Sequence, residues 1–338
     1  MSAAILRRMG EYENGRLTRR NFLLALSATA LRPRVMAQSS KPPIATRRLN
    51  NVMISVSEMK RSVEFYQKLF GTPLQHGDVA VFRVGQGPHF FAVSEVKGIA
   101  KPDFLTYGMT VDNFDPDRLM KILADLGVSG VQTITREGTP ELWVPDPDGI
   151  KIQLQHAAYG HGAGLHGDTL SPTAKAAVKP AFQLKSISHV TLTVTNGRRS
   201  REFYQRVLGL PVQAMQGSTA CLAVGSGPDF VAFNTTADNP NAKAGVNHVA
   251  FTIENFDANR VMGILANNGL EPIEYGIPAL IKPLTCRTRL RQRANNGGGP
   301  TSPLGTPELY FNDPDNITIQ IQDVKYCGGS GALGQICP

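Results

Sequence analysis

The chain carries one stretch twice. Gly138 to Gln155 reads GTPELWVPDPDGIKIQLQ, and Gly305 to Gln322 reads GTPELYFNDPDNITIQIQ. The likeness extends well beyond it. RSVEFYQKLFG (61–71) answers RSREFYQRVLG (199–209), VFRVGQGPHF (81–90) answers LAVGSGPDF (222–230), and VDNFD (111–115) answers IENFD (253–257). Self-similarity on this scale is a duplicated domain, whereas a solenoid repeats a short unit many times. With 338 residues each copy is long enough to bury its own core. The repeat divides the chain into a first domain at 48–156, a linker at 157–183, a second domain at 186–323 and a Gly/Cys tail at 324–338.

Each copy is itself built twice. Val190-Thr191-Leu192-Thr193-Val194 alternates with period two, as a half-buried strand does. REFYQRVLG then has the Phe203/Val207 spacing of a helix, with Gly209 placed to stop it. Strands are expected at 219–224 and 230–234. The cycle then restarts with a strand at 246–253, a helix at 257–268, and strands near 271–275, 307–312 and 317–323. Strand–helix–three strands, four times over, is the expected order.

This paired βαβββ unit, with a DPDG-type turn before the last strand, resembles the vicinal oxygen chelate superfamily of glyoxalases, bleomycin-resistance proteins and type I extradiol dioxygenases. The resemblance covers 48–156 and 186–323. It implies an α+β fold of tandem paired βαβββ modules, forming two U-shaped mixed sheets with helices on the outer faces. A small-molecule cavity lies within each sheet of such a fold.

Strand period says which residues face that cavity. His189, Thr191 and Thr193 separate from Val190, Leu192 and Val194; His248, Ala250 and Thr252 from Val249, Phe251 and Ile253; Thr318, Gln320 and Gln322 from Ile317, Ile319 and Ile321. His189, His248 and Gln320 therefore share the polar face. They also fall at the superfamily's metal-ligand positions, where the dioxygenases carry His, His and Glu. The resemblance thus implies a divalent ion (Fe, Mn, Zn or Ni) held by His189, His248 and Gln320, with an amide where a carboxylate would bind more firmly. Asn51, Thr106 and Gln153 match them in the first domain, which is expected to be metal-free.

The dioxygenase signature places a Tyr where Leu309-Tyr310 stands, so Tyr310 is the candidate catalytic and substrate contact. Asn316 replaces the signature's Gly, Gln320 its Glu, and the His expected shortly before Leu309 is absent. Glu308 has a counterpart, Glu141, in the domain without imidazoles, and reads as structural. Residues 276–305 read as an insertion; Lys282, Arg287, Arg289, Arg291 and Arg293 make it either a lid for an anionic ligand or a solvated loop. His156, His161 and His166 have no ligand spacing and read as linker.

The net charge of +8 does not indicate nucleic acid. Residues 1–37 hold seven Arg and two Glu, leaving only +3 for the remainder. Thr18-Arg19-Arg20-Asn21-Phe22-Leu23-Leu24, a short apolar run and Val35-Met36-Ala37 read as a twin-arginine export signal, too short to span a bilayer. The mature chain is expected in the periplasm or outside the cell, without stable membrane insertion. There disulfides persist, and Cys327 and Cys337 in the tail are either bridged or two unpaired thiols. Cys221 falls in an expected strand and Cys286 in an expected loop. The expected function is that of a metal-dependent, dioxygenase-like or glyoxalase-like enzyme acting on a small molecule. The alternative is a non-catalytic small-molecule binder of the bleomycin-resistance type.

Overall fold

The computed structural model describes residues 42–96, 101–136, 138–160, 171–172, 178–234, 241–291 and 305–337. The expected export signal, His161, His166 and Arg293 lie outside the described residues. Pro42 to Pro338 forms one compact unit.

The four rounds are visible in element order. The first is β1 (Thr46–Ser55), α1 (Met59–Phe70), β2 (Leu74–His76), β3 (Val79–Arg83) and β4 (Phe90–Ser94). The second is β5 (Asp103–Val111), α2 (Pro116–Asp125), β6 (Gln132–Arg136), β7 (Thr139–Pro145) and β8 (Lys151–Gln155), followed by the short β9 (Ser171–Pro172). The third is β10 (Ile187–Thr193), α3 (Gly197–Leu208), β11 (Val212–Gln216), β12 (Thr219–Ala223) and β13 (Phe230–Phe233). The fourth is β14 (Gly245–Ile253), α4 (Ala258–Asn267), β15 (Glu271–Pro272), β16 (Thr285–Arg291), β17 (Thr306–Asn312) and β18 (Thr318–Asp323).

Two curled nine-stranded mixed sheets result, ordered β6-β7-β8-β5-β1-β4-β3-β2-β9 and β11-β12-β13-β10-β14-β18-β17-β16-β15. In each, the opening strands of two rounds meet antiparallel at the centre, β1 on β5 and β10 on β14. The opening strand also runs parallel to the last strand of its own round, as β1 does on β4 and β14 on β18.

Local chemistry sets the helices. In both NFD repeats the Asn takes the left-handed conformation, Asn113 at φ 50 and Asn255 at φ 52. The Asp that follows then caps the helix: Asp115 accepts from Arg118 N and Asp257 from Arg260 N. Phe65, Tyr66, Leu69 and Phe70 form the buried stripe of α1, matched by Phe203, Tyr204, Val207 and Leu208 on α3. These stripes join Val190, Leu192, Val249, Phe251, Ile319 and Ile321 in one apolar core shared by both sheets.

The fourth round departs from the sequence reading. The strand that pairs with β17, as β6 pairs with β7, is Thr285–Arg291, inside the stretch read as an insertion. At 271–275 only Glu271–Pro272 is strand. Cys286 is accordingly a strand residue and fully buried. The missed cue was alternation in CRTRLR, whose Arg residues recur every second position.

The repeated DPD turns dock the two halves on one another. Asp313 Oδ1 accepts its own turn amides, from Asp315 and Ile317, while Oδ2 accepts the Tyr66 hydroxyl of α1 at 2.9 Å. Asp315 takes Ser57 N at 3.0 Å and the Arg61 guanidinium. The counterparts repeat across the pseudo-dyad: Asp146 accepts from Tyr204 at 3.2 Å, and Asp148 from Thr195 N and Arg199. Burial pushes both first aspartates, Asp146 and Asp313, up to about 6.

Candidate functional site

The polar face of the second sheet lines a cavity of about 470 Å³. Strand register carries one row straight across its floor: Arg287 opposite Tyr310, Tyr310 opposite Gln320, Gln320 opposite Ala250, Ala250 opposite His189, and His189 opposite Phe230. His248 stands one step along, opposite Thr191. The two imidazoles and Gln320, far apart in sequence, are thus brought together on adjacent strands.

The imidazole rings meet edge to face, with centroids 5.5 Å apart. His189 lies flat on Phe230 at 4.4 Å, and its Nδ1 is 3.1 Å from Ser188 Oγ. His248 Nδ1 is 2.8 Å from Asn247 Oδ1. That amide oxygen can only accept, so Nδ1 carries the proton and Nε2 keeps its lone pair. Burial pushes His248 down to about 4, assisted by Arg291 and Arg287 and opposed by Glu308 and Gln320. The ring is neutral near pH 7, which is the ligating form.

Glu308 is fully engaged. It accepts Arg291 Nε at 2.7 Å and the Tyr326 hydroxyl at 2.9 Å on Oε1, and the Tyr310 hydroxyl at 2.9 Å on Oε2. The first half repeats this cluster. Glu141 accepts from Arg136, Trp143, Tyr159 and the Nε2 of Gln153. The difference is instructive. Gln153 shares Glu141 Oε2 with the Tyr159 hydroxyl, whereas Glu308 Oε2 accepts the Tyr310 hydroxyl and Gln320 stays off the carboxylate. Neither Oε1 nor Nε2 of the buried Gln320 makes a hydrogen bond, although the amide lies close enough to His248 to favour its protonation. Tyr310 packs edge-on against His248 at 5.4 Å, and burial holds its phenol well above the usual tyrosine range. Its proton is committed to Glu308.

In the first half the matching side chains are tied to one another and to the backbone. Asn51 donates to Asn50, which also accepts from Gln155 and donates to the Tyr159 carbonyl. A Cβ on Gly108 would come within 2.4 Å of the Asn51 amide, so the Asn51 and Gln155 side chains pack directly over that glycine. Thr106 donates to the Lys151 carbonyl at 2.9 Å. His156 accepts a turn amide from Ala158.

Two imidazoles and an amide are thus neighbours on the cavity floor, with His248 neutral. Among the described residues no group of three His, Cys, Asp or Glu side chains could hold a metal ion, so any ion here would need the amide as its third ligand. Sequence reasoning named Arg287 only within a lid or solvated loop, and missed Asn312, Tyr275 and Tyr326 as cavity-wall or supporting residues. Tyr326 had a legible signal in its repeat partner Tyr159. It sits just before Cys327, which is bridged to Cys337.

Two curled sheets built of paired βαβββ units, with a polar cavity inside one, define the glyoxalase and dioxygenase class of fold. The chain belongs to the Glyoxalase/Bleomycin resistance protein/Dioxygenase superfamily, whose family model matches residues 48–154 and 186–260. No curated protein sequence matches the chain. Among solved structures it is similar to the Mn(II)-bound glyoxalase from Novosphingobium aromaticivorans, at 17% identity and TM-score 0.56, covering 82% of each chain. A 2,3-dioxygenase from Pseudomonas sp. KL28 aligns at 16% identity and TM-score 0.54, covering 82% of this chain and 92% of that one. An extradiol ring-cleaving dioxygenase from B. fuscum aligns at 17% and 0.54, covering 88% and 75%. At such identities the likeness carries the fold, and the site must be argued from its own residues.

Proposed function

We propose that the second-half cavity is a mononuclear, metal-assisted site for a small molecule, with His189, His248 and Gln320 as the residues that hold the ion. The observation that carries this reading is Gln320. Its repeat partner Gln153 is tied to a carboxylate, while Gln320 is buried with no carboxylate partner and lies within reach of the neutral His248 ring. A divalent ion would supply Lewis acidity to a substrate oxygen. Asn247 orients His248, Phe230 and Ser188 fix His189, and Tyr310 walls the pocket with its hydroxyl on Glu308. Mn-bound glyoxalase and extradiol dioxygenase relatives in fold support a divalent ion and either lyase-like or dioxygenase-like chemistry.

A second reading is a non-catalytic binder of the bleomycin-resistance type. It is favoured by one feature: the nearest carboxylate, Glu308, is already neutralised by Arg291. Metal content of purified protein separates the two. His189→Ala and His248→Ala should each abolish metal occupancy, and Gln320→Glu should raise it, because an anionic oxygen attracts a divalent ion more strongly than an amide does. Equal content in the parent and all three variants would leave the binder reading standing. Export by the twin-arginine route is proposed on TRRNFLL and the VMA that follows, and the Cys327–Cys337 bridge suits an oxidising compartment.

A further inference from the structure

The polar wall of the cavity carries more positive charge than its fold requires. β16 points Arg287, Arg289 and Arg291 at the cavity, against a single carboxylate in its wall, Glu308. Register identifies which of them are structural. Arg291 stands where Arg136 stands in the first half, and each binds the buried Glu of the neighbouring strand. Arg287 and Arg289 stand where the first half has Gln132 and Ile134. The fold is therefore complete without these two guanidinium groups.

Arg287 is held in a built socket. Its side chain is 7% exposed, and Nη1 donates to Asn312 Oδ1 at 2.6 Å. Asn312 cannot turn away, because its Nδ2 donates to Asn316 O and Oδ1 and to Thr318 Oγ1. The first half has Pro145 in place of Asn312. The Arg287 guanidinium lies 5.5 Å over the Tyr310 ring, and Arg289 lies 5.3 Å over Tyr275. Among the described residues no carboxylate pairs with either. A buried cation without a counter-anion is strongly unfavourable, and a guanidinium with one of its five N–H groups used has a fork left for a planar anion.

We propose that Arg287, supported by Arg289, is the seat of a carboxylate group, so that the ligand of this cavity is a small organic acid. The proposal rests on the cavity being a small-molecule site and holds with or without an ion at His189 and His248. About 470 Å³ is room for a monocyclic acid, and the Tyr310 and Tyr275 rings offer its apolar body flat surfaces.

The test uses the full chain stripped with a chelator, so that metal binding does not enter. Acetate, benzoate and benzamide are titrated by calorimetry and by thermal shift in parent, Arg287→Met and Arg287→Lys proteins. Benzoate should bind the parent at least about tenfold more tightly than benzamide, the worth of one charge-assisted pair. That preference should vanish in Arg287→Met and persist in part in Arg287→Lys. Without ligand, Arg287→Met should melt no lower than the parent, since it removes an unpaired buried charge; a merely structural arginine would melt lower. Equal affinity for benzoate and benzamide, no binding of either anion, or a preference intact in Arg287→Met would each overturn the anion seat. The metal reading fails separately, on the metal content of the histidine variants.

Discussion

Replacing Tyr66 by Phe tests how the two halves are locked. Tyr66 is fully buried, and its hydroxyl donates to Asp313 Oδ2 at 2.9 Å across the pseudo-dyad. Phenylalanine keeps the ring and its contacts with Phe91 and Phe70, so no cavity forms. What is lost is one hydrogen bond to a buried carboxylate, worth about 1.5–3 kcal/mol. Urea unfolding at pH 7.5 of parent, Tyr66→Phe, Asp313→Asn and the double variant isolates the pair. The expected coupling is about 1.5 kcal/mol. The pH dependence supplies a second readout. Burial raises Asp313 from 3.8 to about 6 in the folded protein, so its contribution is fully present below about pH 4 and lost as the pH rises through about 6. The Tyr66 bond offsets part of that loss by favouring the ionised carboxyl. The deficit of Tyr66→Phe should therefore shrink on going from pH 7.5 to pH 5, where Asp313 is mostly protonated. Zero coupling together with a deficit independent of pH would refute the docking role of the DPD turn.

Other outcomes follow from the same coordinates. Glu308→Gln and Glu141→Gln should each destabilise by about 1.5–3 kcal/mol in denaturant, because each takes the charge from a buried acceptor of a half-buried arginine and of tyrosine hydroxyls; a silent Glu141→Gln would argue that the cluster is not structural. Asn51→Ala should leave metal content unchanged, since Asn51, Thr106 and Gln153 include no imidazole; a drop would place the ion there instead. Serine at both Cys327 and Cys337 should cost about 3 kcal/mol for a loop whose ends are ten residues apart, with the difference from the parent vanishing under reductant in thermal melts. Mass spectrometry of protein from the exported fraction should find the first 37 residues removed; an intact Met1 there would overturn the export proposal.

The sequence alone determined the architecture, because duplication is visible in the letters and period two assigns faces without any coordinates. His189, His248 and Gln320 fell on one face by that rule, and the apolar rows Val190/Leu192, Val249/Phe251 and Ile319/Ile321 fell on the other. Arg287 was legible only as part of a basic, Gly/Pro-flanked stretch: the short alternation of CRTRLR was outweighed by the turn-rich residues around it, and nothing local says with which strand such a segment pairs. Only the tertiary structure decided the states of these groups. Gln153 reaches the buried glutamate of its half and Gln320 does not, a difference of side-chain placement between adjacent strands that no spacing encodes. His248 is a neutral base because burial outweighs the nearby Glu308. Arg287 became a candidate anion seat because pairing against β17 buries it beside Asn312, with no carboxylate paired to it among the described residues. Periodicity fixes the side of the sheet on which a residue lies; desolvation and partner geometry, which exist only once strands are assembled, fix what that residue can do there.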